Sequence, residues 1–251
     1  MNLKYYFIGT LLWMAFGCQI AEESPSGAIA VNPAAMAVKG EGQWWQERHE
    51  TILSRLNQDP KLILVGNSIF HSLDNEDRET VWQSHLDPYQ TVNMGISGDR
   101  TENLLWRIEN GLLAGIQPEL ALILIGTNNT DGNHYLNIST ADQLAGGIWA
   151  ICEAVRAKLP QTQILLMGIL PYGYKPNHRN NINLATNRLI AAFPERDSNI
   201  HYIDISEIYL DQNGKVIPAL MPDYLHPNPE GHMKMFDALE EEIKRLMSGE
   251  L

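Results

Sequence analysis

Cysteine is nearly absent: the 251 residues include two, Cys18 and Cys152. A disulfide framework is therefore excluded, and stability must come from an apolar core, which a chain of this length can supply. Positive charge is also scarce. Eighteen Lys and Arg stand against 30 Asp and Glu, a formal net charge of -12, which argues against a nucleic-acid partner. No run of like charge, repeat period or low-complexity tract stands out. No His, Cys and Asp spacing resembles a metal site; His226 and His232, six apart, do not suit one helical turn. Neither a metal nor a cofactor is expected. What remains, 44% hydrophobic and 19% charged, is an ordinary globular composition.

Long apolar runs are missing too. The longest follows Lys4 and covers about a dozen residues, too short to cross a bilayer comfortably and suited to a signal-peptide core. It ends Ala15-Phe16-Gly17-Cys18. This resembles a bacterial lipoprotein signal, which implies cleavage before Cys18, lipid attachment to its thiol, and a membrane-anchored protein of the bacterial cell envelope. Ala15 and Phe16 depart from the commoner Leu and small residue. Residues 19–39 read as a flexible tether, rich in Ser, Pro, Gly and Ala between Glu22 and Ala37. The other cysteine, Cys152, lies in an apolar helical stretch and reads as a core residue.

From residue 40 the patterning is regular. Apolar runs at 62–65, 91–94, 120–125, 164–167 and 201–203 read as strands. Helical spacing appears over 44–56, 101–110, 140–158, 182–193 and 230–247. Strands alternating with helices predict a three-layer α/β/α sandwich around a parallel sheet. A flavodoxin-like order of 2-1-3-4-5 then places the loops after strands 2, 1 and 3 side by side.

Those loops hold the polar residues of interest. Ser68 follows the first strand in Gly66-Asn67-Ser68, Gly98 lies past the second, and Asn128 past the third in Gly126-Thr127-Asn128-Asn129. A serine hydroxyl becomes a nucleophile only when an oriented base takes its proton, and its reaction needs donors aimed at the developing oxyanion. Asp223 and His226, three apart on a proline-flanked loop, have the spacing of a base and its orienting carboxylate. Each residue alone also has a plain structural reading: Ser68 as a helix cap, Asn128 and Asp223 as turn residues, Gly98 as a helix-entry glycine, His226 as a surface histidine. Their joint occurrence in this order favours the site. Among the other histidines, His71 lies near Ser68, His134 belongs at the rim, and His232 falls on the last helix, which Asn228 would cap with Pro229 at its first position.

The chain resembles the SGNH (GDSL-like) hydrolases, in the branch of the platelet-activating-factor acetylhydrolase catalytic subunits. Asn93-x-Gly-x-x-Gly-Asp-x-Thr-x-x-x-Leu-Trp-Arg107, Gly126-Thr-Asn-Asn129, Gly168-Ile-Leu-Pro171 and Asp223-x-x-His226 carry the likeness across nearly the whole domain. The resemblance implies Ser68 as nucleophile, His226 as base and Asp223 as its orienter. It implies an oxyanion hole of Ser68 N–H, Gly98 N–H and the Asn128 side chain, with Gly95 the other glycine to weigh. The implied activity is hydrolysis of acyl esters, acetyl first, on O-acetylated carbohydrate or a lipid ester. One residue departs from the pattern: Asn67 stands where the family has Asp. It leaves a rival reading, a non-catalytic module binding glycan or lipid on an esterase-like scaffold. Phe70, where an α/β-hydrolase elbow has its second Gly, separates the site from that fold.

Overall fold

The structure, a computed structural model, describes residues 31–249. The predicted signal and the Cys18 attachment point lie outside those residues. Asn32–Leu251 form one compact unit.

Five parallel strands build the sheet: β1 (Leu62–Gly66), β2 (Val92–Asn93), β3 (Leu120–Leu124), β4 (Gln163–Met167) and β5 (Ile200–Ile203). Their spatial order is β2-β1-β3-β4-β5, the expected 2-1-3-4-5. Register places Gly66 opposite Leu124 at the C-terminal ends of β1 and β3, so the loops that follow start level. β1 and β3 are buried at every position, as strands covered on both faces must be.

Successive side chains of a strand point to opposite faces, and the two cores separate accordingly. Ile63, Val65, Ala121 and Ile123 join the core covered by α1 (Gln43–Arg55), α4 (Thr101–Glu109), α5 (Ala141–Lys158) and the end of α6 (His178–Ile190). Cys152 is fully buried there. Leu62, Leu64, Leu122 and Leu124 join the other core, under α2 (Ser68–His71), α3 (Glu79–His85) and α7 (Pro229–Ser248). Asn228 caps α7 through Oδ1, which accepts from Gly231 N–H at 2.8 Å, with Pro229 in the first turn. Among the described residues no helix is long and apolar enough to cross a membrane.

The structure differs from the sequence reading at the tether, expected through residue 39 with the domain beginning at 40. The described part of that segment belongs to the fold from Asn32 onward. Ala34 is fully buried, its carbonyl accepts from Thr101 Oγ1 at 2.7 Å, and Val38 N–H donates to the Glu102 carbonyl. The close fit depends on Gly147, where a Cβ would sit 2.4 Å from the Ala34 oxygen. Small residues in a Pro- and Ala-rich stretch look like a linker in sequence, but they also let a backbone approach a helix closely. Helices α2 and α3 lack a sequence signal for a related reason. α2 is a single turn, and α3 buries only Val81, so neither shows an apolar period.

Candidate active site

Ser68 opens α2 directly beyond β1. Asn67 caps this turn, its Oδ1 accepting from Ile69 N–H at 3.1 Å. An Asp would offer the same acceptor. Ser68 Oγ lies 2.9 Å from His226 Nε2. On the other side of the imidazole, Nδ1 is 2.6 Å from Asp223 Oδ2. The remaining Asp223 oxygen accepts backbone N–H groups from Leu225 at 3.0 Å and His226 at 2.7 Å. Burial alone would raise the Asp223 pKa, but the side-chain and backbone bonds from His226 outweigh it and hold the carboxyl below its ordinary value. The carboxylate is therefore an acceptor at neutral pH, and the imidazole directs its Nδ1 proton to it.

The segment carrying Asp223 and His226 returns from the far edge of the sheet. Tyr209, fully buried, donates from its hydroxyl to the Gly231 carbonyl at 2.9 Å. Arg78 Nη2 donates to the Pro227 carbonyl at 3.0 Å, and Gly173 N–H to that of Tyr224. Tyr224, between the two site residues, has φ +60°, a left-handed conformation that costs a non-glycine residue energy. The N–H groups of Leu225 and His226 close this tight turn on Asp223 Oδ1.

The loop after β2 supplies both glycine candidates, and their N–H groups separate them. Gly95 N–H donates to Asn93 Oδ1 at 2.9 Å, so it is occupied. Gly95 instead serves close packing, since a Cβ there would meet His71 N at 2.4 Å. Gly98 has φ +84°, and its carbonyl accepts from the Tyr135 hydroxyl at 2.6 Å. Its N–H makes no bond among the described residues. Asn128 sits in the short helix Thr127–Thr130, with Nδ2 donating one hydrogen to the Asp99 carbonyl at 2.9 Å. The second amide hydrogen has no partner among the described residues and could serve a ligand.

Beneath these loops lies an ion pair for which the sequence reading named no role. Arg107 Nη2 is 2.6 Å from Asp99 Oδ2, off the line of a hydrogen bond, and both side chains are 0% exposed. Trp45 Nε1 donates to Asp99 Oδ1 at 2.6 Å. Arg107 also donates to the carbonyls of Met94 at 2.7 Å and Gly66 at 3.3 Å. Burial pushes the Asp99 pKa up, and Arg107 and Trp45 pull it back. The signal was available in the pattern, because Arg107 follows Leu104 by three and precedes Ile108 on the apolar face of the predicted helix.

The remaining histidines separate by burial. His232 is fully buried on α7, its Nε2 3.0 Å from the Ile69 carbonyl under the Ser68 turn. Burial lowers its pKa to about 4. His134 projects into solvent and pairs with Asp131 at 2.7 Å. It lines a groove of about 1010 Å³ that opens beside Gly98, between residues 33–41 and 134–139. Exposed Met36, Val38, Trp44, Leu136 and Ile138 rim this groove. Among the described residues no cluster of three His, Cys, Asp or Glu could hold a metal ion.

The chain is similar to known proteins over most of its length. The model of the GDSL-like lipase/acylhydrolase family matches residues 64–234. Platelet-activating factor acetylhydrolase IB subunit alpha2 of Rattus norvegicus is 29% identical over 225 residues, 90% of this chain and 94% of that protein. The fold is similar to that of a GDSL-like lipase from Bacteroides thetaiotaomicron, with TM-score 0.62, 20% identity, and 79% and 97% of the two chains covered. It is equally similar to that of an acetyl xylan esterase, with TM-score 0.62, 21% identity, and 72% and 98% covered.

Proposed function

The chain belongs to the GDSL-like lipase/acylhydrolase family, and we propose that within it this protein is a serine esterase removing small acyl groups, acetyl first, from O-acetylated carbohydrate. The observation that carries the reading is the continuous hydrogen-bonded chain from Ser68 through His226 to Asp223.

The residues divide the work as follows. Ser68 Oγ attacks the ester carbonyl carbon while its proton passes to His226 Nε2. Charge developing on the carbonyl oxygen meets Ser68 N–H, Gly98 N–H and the free Asn128 amide hydrogen. The carbon–alkoxy bond then breaks, and His226 returns its proton to the leaving oxygen. Water attacks the acyl-Ser68 ester, again giving its proton to His226, and the acid leaves as Ser68 recovers its hydrogen. Asp223 keeps the imidazole in the tautomer with its proton on Nδ1 and supports the imidazolium.

The substrate class rests on two supports. One is the acetyl specificity in the names of the acetylhydrolase and acetyl xylan esterase to which the chain is similar. The other is the N-terminal pattern, which we read as an envelope lipoprotein anchored through Cys18, where glycans are at hand. A lipid ester is the second reading, favoured by the apolar rim of the groove beside Gly98.

The deciding measurement is the intact mass of the full chain after exposure to a fluorophosphonate. One adduct on wild type and none on folded Ser68→Ala is expected, with loss of all turnover in that variant. An adduct on both would remove Ser68 from the mechanism. Turnover of acetylated xylo-oligosaccharides against lysophospholipid then separates the two substrate readings.

A further inference from the structure

His71 lies three residues after Ser68 on the same single turn of helix. Its Nδ1 accepts from Ser97 N–H at 3.1 Å and lies 2.9 Å from Ser97 Oγ. Ser97 immediately precedes Gly98. Among the described residues the Ser97 N–H has no other acceptor. We propose that His71 is a positioning residue that sets the loop bearing Gly98 against the turn bearing Ser68, through the bond its Nδ1 accepts from Ser97. This rests on the reading of Ser68 as nucleophile and Gly98 as oxyanion donor.

Three observations support the role. An imidazole accepts at Nδ1 only when that nitrogen carries no proton, so the bond requires neutral His71 with its hydrogen on Nε2. Burial first, and then the charge of Arg48, lower its pKa to about 4, so the acceptor persists at neutral pH. The ring also has a neighbour on one side: the Trp44 indole is tilted against it with centroids 5.6 Å apart and planes 31° apart. The backbone under the ring has no freedom, because Gly95 packs against His71 N more closely than any side chain would permit. The two loops thus meet through an acceptor carried on a closely packed backbone, and a displacement of Gly98 by a fraction of an ångström is felt where charge develops.

The test uses three variants of the full chain, assayed on 4-nitrophenyl acetate and titrated with a boronic acid that forms a tetrahedral adduct on Ser68. His71→Leu removes the acceptor. His71→Asn keeps an acceptor at the position of Nδ1, and His71→Gln carries its amide out to the position of Nε2. His71→Leu is expected to lower kcat about tenfold, part of the 10²–10³ lost with a whole oxyanion donor. KM should stay within about twofold, and boronate affinity should fall in parallel with kcat. His71→Asn should recover most of the lost kcat, and His71→Gln should not. Wild-type kcat in a folded His71→Leu variant would overturn the proposal while leaving the esterase reading intact. Should that variant fail to fold, equal kcat in the Asn and Gln variants overturns it instead. Wild type no faster than Ser68→Ala sinks the esterase reading and this inference together.

Discussion

Two aspartates of this protein each face a cationic or basic partner, and their surroundings could hardly differ more. Asp99 and Arg107 are both 0% exposed, sealed beneath the loops after β1 and β2 and held by Trp45, Met94 and Gly66. Asp223 and His226 are 56% and 37% exposed on an irregular segment at the sheet's C-terminal edge. The buried pair has no contact with solvent, and its bonds point to backbone or to buried side chains. It sets positions. In the proposed mechanism the exposed pair ends at a hydroxyl that gives up its proton and takes it back, so water access and a soft environment suit it. On the proposed mechanism the contrast separates two tasks: one buried ion pair fixes where the loops stand, and one half-solvated pair moves charge.

Substitutions that hit one pair and spare the other test this division. Asp223→Asn should lower kcat by about 10⁴, as in serine triads where the imidazole takes the wrong tautomer. Its thermal transition should barely move, because the carboxylate is half in water. A large drop in Tm would instead make Asp223 part of the framework. Arg107→Met should do the reverse. It leaves the Asp99 charge buried without its partner, a loss of about 3–5 kcal/mol of stability, read by denaturant unfolding. Adding Asp99→Asn in the same chain should restore part of that loss; no restoration would mean that the bonds to Met94 and Gly66 matter more than the charge.

A smaller effect comes from His232, which is buried under the Ser68 turn as His226 is not. Its folded pKa of about 4 lies below the ordinary 6.5, so the fold holds it neutral. The stability this represents is complete above pH 6.5 and is lost as pH falls towards 4. A gap of that size corresponds to about 3 kcal/mol when fully expressed. Tm should therefore fall across this window, and His232→Gln, which can still donate to the Ile69 carbonyl, should flatten the curve. An unchanged slope would assign the acid sensitivity to other groups. The smallest effect is expected from Asn67→Asp. Asn67 Nδ2 is buried without a partner among the described residues, and its Oδ1 already makes the cap bond that an Asp would make. kcat should change by less than about tenfold, well below the loss of a whole oxyanion donor; a larger change would place Asn67 among the groups that handle charge.

Much of this protein is written locally in its residues. The strands at 62–65 and 120–125 are unbroken apolar runs, and a strand buried on both faces needs nothing else. Helix α7 begins where Asn228 and Pro229 say it should, because capping is a matter of neighbouring atoms. The spacing of Asp223 and His226 likewise let their contact be anticipated, since three residues on a turn already bring the groups together. Other features depend on elements far apart in the chain. The burial of Ala34 is decided by Gly147 on α5, so no local pattern distinguishes 32–38 from a tether. The bond that Ser97 N–H donates to His71, and the approach of His226 to Ser68 across 158 positions of sequence, exist only once the sheet has brought its loops to a common edge. Periodicity, capping and short turns act within a few residues and can be read directly. Hydrogen-bond occupancy and close backbone approach are properties of surroundings, and those are assembled only by the fold.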